Sequence, residues 1–316
     1  MIGPGRICYE HAMAAIPQRA TTIILVRDEN PEEFEVYLLK RHEKSSFMAG
    51  NYVYPGGRID PNDQSLEICP YTRGVSPEEA MRILTTGLSP EESLACWTSA
   101  IRELFEEAGV IFGCNRGGDL LSLGDSEEKK RYDGYRKEVQ KGSMTLCEVA
   151  QREQILIALD QLHYYARWIT PEARPQRFDT YFFIARHPRG QEATPDQKET
   201  TVGIWITPAQ ALKENLAGEV ALSPPTLKTI EDLSRYRTLD EVFRSLKNRV
   251  IQPILPHLTK VSNETAILFP WDPEYERFKR GEIPNPVDHG KPSELTDNTT
   301  RVILRNGRWL PHHKKA

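Results

Sequence analysis

The chain has 316 residues, of which 27% are charged and 39% hydrophobic, and its formal net charge is −4. This is the composition of a globular protein with one large or two small domains, and it excludes a broad positive field for nucleic acid or anionic membranes. The chain contains no apolar run of about 18 residues, so the sequence predicts no transmembrane helix.

The cysteines and the N-terminal segment indicate a cytoplasmic location. The five cysteines are scattered and odd in number and form no CxxC pair, which argues against a disulfide framework or a zinc ribbon and for a reducing compartment. The segment MIGPGRICYEHAMAAIPQRA has no continuous apolar stretch, so no signal peptide is expected.

The first half of the chain is predicted to open with a β-hairpin. TTIILVRD (21–28) and FEVYLLKR (34–41) are rich in β-branched and apolar residues, and turn-forming residues lie between them. NYVYPGG (51–57) predicts a further strand that ends in a glycine turn.

Two helix starts then share one signature, because SPEE occurs at 76–79 and again at 89–92. Each places serine at the N-cap, proline at the first helical position and glutamate at the third, which is a capping box. The first predicts a short helix over 77–86. The second predicts a long helix that runs to about Ala108 and is ended by Gly109.

The second half of the chain alternates between predicted strands and helices. Residues 119–142 are polar and charged, and residues 145–162 are predicted to be helical. Strands are predicted at 164–170, 177–188, 200–207 and 265–271, helices at 208–218, 223–236 and 239–250, and a hairpin over Asn306-Gly307. Because prolines become frequent after residue 250, we divide the chain into a main domain, 1–250, and an extension, 251–316, that packs on it. A disordered tail is the alternative for the extension.

The stretch AIRELFEEAGV (100–110) concentrates negative charge on one helix. Its apolar residues fall at i, i+3, i+4 and i+7 and form a stripe that faces the core. Glu103, Glu106 and Glu107 project from the other side, and like charges at this spacing destabilise a helix by roughly 0.2–0.5 kcal/mol per pair. Either water screens them on a solvated face, or they hold divalent cations.

The segment RELFEEAGV resembles the second half of the Nudix box, and Pro55-Gly56-Gly57 resembles the glycine turn that opens it. The resemblance covers about residues 20–235 and implies an α/β fold, the Nudix-type α/β/α sandwich with a mixed sheet. Residues 58–101 separate the two halves, a longer stretch than in the usual box, which implies an insertion at about 61–90 that lies beside the active site. The isolated glutamate of the box is replaced by Leu94.

The long insertion, together with SFMAGNYVYPGG before it and RFDTYFFIA after it, resembles the Nudix subgroup that includes the peroxisomal coenzyme A diphosphatases of animals. The resemblance implies metal-dependent hydrolysis of a diphosphate linkage in a nucleoside diphosphate derivative, with coenzyme A or acyl-coenzyme A as the expected substrate. ADP-ribose, a dinucleotide and a nucleotide sugar are the alternatives, and a non-catalytic nucleotide sensor is the alternative of another class. Other Nudix coenzyme A pyrophosphatases carry a motif with two arginines before their box. Ser46 occupies the position of the second arginine in this chain.

The resemblance also implies the cofactor and partners. Glu103, Glu106 and Glu107 would hold Mg²⁺ or Mn²⁺, which prefer oxygen ligands and share them with phosphates. The partner is a small-molecule diphosphate, with no nucleic acid and no membrane, and the chain is expected to be a monomer or a homodimer.

Further roles follow for single residues of the matched segments. Arg102 would orient a glutamate, and Glu106, Glu107 and Glu199 are the candidates for the general base. Gly56 and Gly57 would let backbone amides approach the site, and Arg41 and Arg58 would bind phosphate. Solvated surface positions are the alternative for Glu199 and for these two arginines.

Overall fold

The computed structural model describes residues 14–30, 32–43, 48–247, 249–261, 263–282 and 299–312. The α-helices are α1 (Pro77–Leu84), α2 (Pro90–Ala108), α3 (Ser126–Val139), α4 (Leu146–Glu153), α5 (Pro208–Ala217), α6 (Pro224–Leu233), α7 (Leu239–Ser245) and α8 (Tyr275–Lys279). The strands are β1 (Gln18–Asn30), β2 (Glu33–Arg41), β3 (Tyr52–Val53), β4 (Gly56–Arg58), β5 (Thr72–Arg73), β6 (Gly113–Cys114), β7 (Leu156–Ala158), β8 (His163–Ile169), β9 (Phe178–Arg186), β10 (Thr200–Ile206), β11 (Pro253–Ile254), β12 (His257–Val261), β13 (Glu264–Leu268), β14 (Arg301–Arg305) and β15 (Arg308–His312). Short 3-10 helices cover Pro61–Gln64, Leu66–Tyr71 and Leu159–Gln161.

A mixed sheet forms the centre of the molecule. Its described strands run in the order β10-β2-β1-β9-β8-β11, with β3 beside β2 and β4 beside β1. β1 is antiparallel to β2 and parallel to β9, so the predicted hairpin is confirmed.

Alternate residues of the central strands face two different cores. In β1, Ile23 and Leu25 belong to the apolar cluster that includes α2, whereas Ile24 and Val26 belong to the cluster that includes α5, α6 and α7. Successive side chains of a strand point to opposite faces of a sheet, so both faces are covered by helices. The predicted α/β/α sandwich is therefore confirmed.

Helix α2, which carries the glutamates, begins and ends where the sequence predicts. The Ser89 hydroxyl accepts from the Glu92 N–H, and the Glu92 carboxylate accepts from the Ser89 N–H, which completes the capping box. Gly109 closes the helix with a φ of 70°, a conformation that favours glycine, and its N–H donates to the Phe105 carbonyl.

The segment of residues 61–90 packs against α2. It contains two 3-10 helices, β5 and α1, and α1 ends at Leu84, slightly earlier than predicted. Ile68, Ala80 and Leu84 are buried in the same cluster as Trp97 of α2. The segment therefore contributes to the core around α2. Its described residues form no separate apolar cluster of their own.

The prediction of one helix over residues 145–162 is wrong. α4 ends at Glu153, Gln154 adopts a left-handed conformation, and Leu156–Ala158 forms β7, which pairs with β5 and β6. The apolar run ILIAL is compatible with either state, and its strand partners come from distant parts of the chain. Helix α3 lies in the polar stretch 119–142, where the apolar period is too weak to predict it.

The extension folds against the second core. β12, β13, β14 and β15 form an antiparallel sheet in that order, and β11 pairs with β8 at the edge of the central sheet. The predicted hairpin over Asn306-Gly307 is confirmed, and both residues have the positive φ angles that such a turn requires. Four apolar residues of the extension lie in the cluster that includes α5, α6 and α7: Ile267, Phe269, Val302 and Trp309.

Candidate active site

The last two turns of α2 bring three glutamates to one end of the sheet, and their environments differ. The side chains of Glu103 and Glu106 are 13% and 20% exposed. Glu107 is buried, and its Oε2 accepts a hydrogen bond of 2.9 Å from the Gly56 N–H. One glutamate is thus held inside the fold, and the other two reach the surface of a cavity.

The Gly56-Gly57 turn is closely packed, and glycine is required at Gly56, where the nearest atoms belong to the backbone. A Cβ atom on Gly57 would lie 2.5 Å from Oε1 of Glu103, and one on Gly56 would lie 2.2 Å from the Thr21 carbonyl oxygen. Real Cβ atoms do not approach other atoms this closely. The glycines therefore allow the backbone of β4 to lie directly against the carboxylates of α2, as the sequence predicts.

Arg102 connects the glutamates to the segment of residues 61–90. Its Nη1 lies 2.7 Å from Glu106 Oε1 and 2.9 Å from Glu103 Oε1. Its Nε and Nη2 each donate to Asp63 at 2.9 Å, which makes a bidentate pair. Asp63 is buried and also accepts from the Asp60 N–H. A glutamate partner was predicted for Arg102, but Asp63 was not identified, because no residue pattern links the insertion to α2.

The electrostatics of the site call for positive charge. Burial raises the pKa of Glu103 to about 7; Arg102 opposes this rise, and repulsion from Glu106 adds to it. Burial also raises the pKa of Glu107, to which Glu103 and Glu199 add repulsion, while the Gly56 N–H and Arg41 act in the opposite direction. A buried carboxylate and a part-buried one that disfavour each other's charge form a donor set of hard oxygens suited to a divalent cation.

In their observed rotamers, the three glutamates are not arranged around a common metal position. No group of three or more His, Cys, Asp or Glu side chains in the described ranges is arranged to hold a metal ion. Arg102 provides the positive charge beside Glu103 and Glu106, and Glu107 bonds to Gly56. The donor chemistry fits a metal ion, and ligation by all three glutamates, which remains a prediction, would require Glu103 and Glu106 to turn away from Arg102.

All predicted site residues except the buried Glu107 line one large cavity of about 1080 Å³. Those that line it are Arg41, Gly56, Gly57, Arg58, Arg102, Glu103, Glu106 and Glu199. Arg58 and Glu199 are exposed, and Nε of Arg41 is buried without a hydrogen-bond partner among the described residues. The structure therefore brings together residues that are separated by up to about 160 positions in sequence.

The opposite part of this cavity is apolar and was not predicted. Its lining includes Trp168, Ile169, Phe178, Phe182, Pro256 and Ile267. Trp168 belongs to the second core, as expected of a core tryptophan, but it also faces the cavity. Phe178 and Phe182 belong to the RFDTYFFIA segment, but no motif links them to Trp168 or Ile267, because the proximity of these strands depends on the sheet order.

Several other sequence observations have structural outcomes. Leu94 is buried in the core, so the position of the isolated glutamate of the box has no acidic role here. Asp179 pairs with Arg167 through two bonds of 2.8 and 2.6 Å, and Arg177 donates to carbonyl oxygens instead. Ser46 lies outside the described residues.

Helix α3 holds the end of α2 in place. The Glu106 carbonyl accepts from Arg136 Nε at 2.9 Å and from Gln140 Nε2 at 2.6 Å. The last carbonyls of a helix have no intrahelical partner, and a cation near them is favourable. Lys198 Nζ donates in turn to Gln140 Oε1 at 3.2 Å. Helix α3 thus connects α2, which carries the candidate metal ligands, to the segment that carries Glu199.

Comparison with known proteins identifies the family. A family model described as the NUDT19 Nudix domain matches residues 17–233. The chain belongs to this family. It is a Nudix pyrophosphohydrolase, and the resemblance inferred from the box is confirmed; Nudix hydrolases generally use divalent metal ions.

Relatives from animals show the same similarity. The chain is 27% identical to the acyl-coenzyme A diphosphatase NUDT19 of Xenopus laevis, over 72% of this chain and 66% of that protein, so it spans about two thirds of that relative. It is 26% identical to the protein of the same name in Homo sapiens, over 77% of this chain and 73% of that one. A putative nudix hydrolase 7 of Caenorhabditis elegans is 25% identical, over 85% of this chain and 79% of its own length.

A solved structure agrees with the fold. The crystal structure of a Nudix hydrolase from Alicyclobacillus acidocaldarius has a TM-score of 0.61 and 21% identity, and the match covers 75% of this chain and 99% of that one. At this identity the likeness shows the Nudix fold alone. In the part of the chain that the structure describes, no helix is long and apolar enough to span a bilayer.

Proposed function

We propose that the protein hydrolyses the diphosphate linkage of coenzyme A or an acyl-coenzyme A to an adenosine bisphosphate and phosphopantetheine or its acyl derivative. The observation that carries the proposal is the mixed lining of the cavity, which combines carboxylates and arginines with aromatic and aliphatic side chains. A diphosphate with a long, weakly polar arm matches this lining. The names of the relatives in Xenopus laevis and Homo sapiens support the same substrate class.

The residues of the charged part have distinct proposed roles. Glu103, Glu106 and Glu107 would hold Mg²⁺ or Mn²⁺, which neutralises diphosphate oxygens and lowers the pKa of a bound water. Arg41 and Arg58 would donate to the phosphates, and the unpaired Nε of Arg41 favours this role. Gly56 and Gly57 also line the cavity, so their backbone would lie close to a bound diphosphate.

Proton transfer and orientation would come from other groups. Glu199 lines the cavity on its exposed side and is the preferred general base, since Glu106 and Glu107 are engaged by Arg102 and Gly56. Arg102 would orient Glu106 by its 2.7 Å charge-assisted bond. A cytoplasmic location and a monomeric or homodimeric state remain predictions.

A substrate panel tests the proposal. The enzyme is incubated with Mg²⁺ and each of five substrates: coenzyme A, acyl-coenzyme A, ADP-ribose, a dinucleotide and a nucleotide sugar. The products are identified by mass spectrometry. Water labelled with ¹⁸O shows which phosphorus is attacked. We expect coenzyme A derivatives to have the highest kcat/KM and EDTA to abolish turnover. Efficient cleavage of ADP-ribose or a nucleotide sugar, with coenzyme A left intact, would refute the substrate assignment.

A further inference from the structure

The C-terminal extension supplies part of the wall of the active cavity. Pro256, which precedes β12, and Ile267 of β13 line the cavity, and both are buried. The matched family domain ends at residue 233, so both residues lie outside it. The cavity is thus completed by a segment that the Nudix domain itself does not contain.

The strand order shows how the cavity is oriented. Thr200 pairs with Arg41 at one side of the sheet, whereas Trp168 pairs with Thr180 on the other side. Between them, Thr22 of β1 pairs with Phe182 of β9. At this end of the sheet β3 pairs with β2 and β4 pairs with β1, so these two short strands lie between Arg41 and the strands that carry Phe182 and Trp168. The cavity therefore crosses one end of the sheet.

The charged and apolar lining residues lie toward different strands. Arg41 lies on β2 and Glu199 precedes β10, so these two groups lie at the β2 side. Glu103 lies beside Gly57 of β4, which pairs with β1. Trp168, Phe182 and Ile267 lie at the β8 side, where the extension covers the sheet. This side also carries Arg174, whose guanidinium can donate to amide carbonyls of a pantetheine arm.

We propose that Ile267 and Pro256, together with Trp168 and Phe182, form a subsite for the hydrophobic acyl arm of a thioester substrate, and that the extension thereby sets the preferred acyl-chain length. This inference rests on the proposed function. Each CH₂ group buried against such a wall is worth about a fourfold gain in binding. Catalytic efficiency therefore increases with chain length until the arm meets Ile267.

Substitutions at one position of β13 test the subsite. The kcat/KM of wild type, Ile267→Ala and Ile267→Phe is measured for coenzyme A and for its acetyl, octanoyl and palmitoyl thioesters. Ile267→Ala lengthens the subsite, and Ile267→Phe shortens it. We expect the ratio of palmitoyl to acetyl efficiency to rise about tenfold in the first and to fall about tenfold in the second.

Leu268→Ala is the matched control. Leu268 is the next residue of the same strand, but it is buried on the opposite face with Val261 and Ile303 and does not line the cavity. Its truncation should lower the melting temperature without shifting the chain-length ratio. Where a variant is not folded at the assay temperature, Ile267→Met takes its place, because an unbranched side chain of similar volume still changes the wall.

The outcomes separate the two proposals. If the wild type hydrolyses neither coenzyme A nor its thioesters, the proposed function fails. If it hydrolyses them but both Ile267 variants keep the wild-type chain-length ratio, the function stands and the subsite is refuted. An equal shift in Leu268→Ala would also refute it, because the effect would then come from loosening the extension.

Discussion

Arg102 supplies the positive charge next to Glu103 and Glu106. It bonds to Glu106 and Glu103, so it competes with any cation for the same oxygens. Its other donors are occupied by Asp63, whose side chain is only 5% exposed. Asp63 therefore restrains the guanidinium from drawing the glutamates closer, and the insertion takes part in the site through this residue.

Asp63→Asn should weaken both the fold and the metal response. Arg102 keeps its pairs with Glu103 and Glu106, so the loss of the charge-assisted bonds to Asp63 should cost about 1.5–3 kcal/mol of the free energy of unfolding. Arg102 would also pair more tightly with Glu106, so turnover should fall at least about tenfold, a loss of 1.4 kcal/mol in transition-state stabilisation. Urea unfolding and Mg²⁺ activation curves measure the two effects.

Glu79→Gln is the control for Asp63→Asn. Glu79 belongs to the same segment but pairs with the exposed Arg82, and such surface pairs contribute little. An Asp63→Asn protein with the stability and Mg²⁺ curve of Glu79→Gln would contradict the role of Asp63.

Glu106→Gln and Glu107→Gln should separate activity from stability. Each substitution should lower turnover at least about a hundredfold, since a charged oxygen of the site is lost. Glu107→Gln should nevertheless raise the melting temperature in EDTA. Burial raises the Glu107 pKa, so its charged form destabilises the folded state at neutral pH, and a glutamine can still accept from the Gly56 N–H.

Turnover assays and thermal melts of the same preparations test this, with Glu91→Gln in the first turn of α2 as the control. Near-normal turnover in both variants at saturating Mg²⁺ would remove the two glutamates from the catalytic site.

Local signals in the sequence predict the elements that carry the catalytic motif. The capping box at Ser89, the glycine at 109 and the Asn306-Gly307 turn each act over a few residues, and the structure confirms the elements that they bound. β7 and the Asp63–Arg102 pair depend on partners that are distant in sequence. Only the tertiary fold decides such features, so the sequence alone predicted the glutamates of the site but neither Asp63 nor the apolar wall.

Helix α3 is expected to act on catalysis through the end of α2. Arg136→Met removes one of the two side-chain donors to the Glu106 carbonyl, leaving only Gln140, and it removes the side-chain donor to the part-buried Thr194 carbonyl. The end of α2 should loosen, so kcat should fall about tenfold with little change in KM. Arg136→Lys should recover part of the loss, because its ammonium group can still donate to Glu106.

Arg131→Met, in the same helix, is the control for Arg136→Met. Arg131 pairs with Glu153 and makes no bond to α2. Steady-state kinetics of the three variants test whether α3 affects catalysis through the end of α2. Equal kcat values for Arg136→Met and Arg131→Met would show that α3 has no effect on the glutamates.

At the scale of the molecule, the central sheet is shared by two cores, and the extension belongs to the second. Ile267, Phe269, Val302 and Trp309 are buried among the residues of α5, α6 and α7. A further buried network joins the two parts, because Glu231 of α6 accepts from the Thr299 N–H and hydroxyl. The boundary near residue 250 therefore divides the chain by composition while the apolar core continues across it.

A chain truncated after residue 248 should not fold stably. The four apolar side chains that it loses contribute about 1.5–3 kcal/mol each, a sum that approaches the 5–15 kcal/mol by which most domains are stable. Circular dichroism melts and size-exclusion chromatography of residues 1–248 should show a broad transition or aggregation. A chain that lacks only residues 313–316 retains these side chains and is the matched control. If residues 1–248 instead unfold cooperatively at the melting temperature of the full chain, the Nudix domain is independent. The contacts of the extension would then serve the cavity alone, since they would add nothing to the stability of the core.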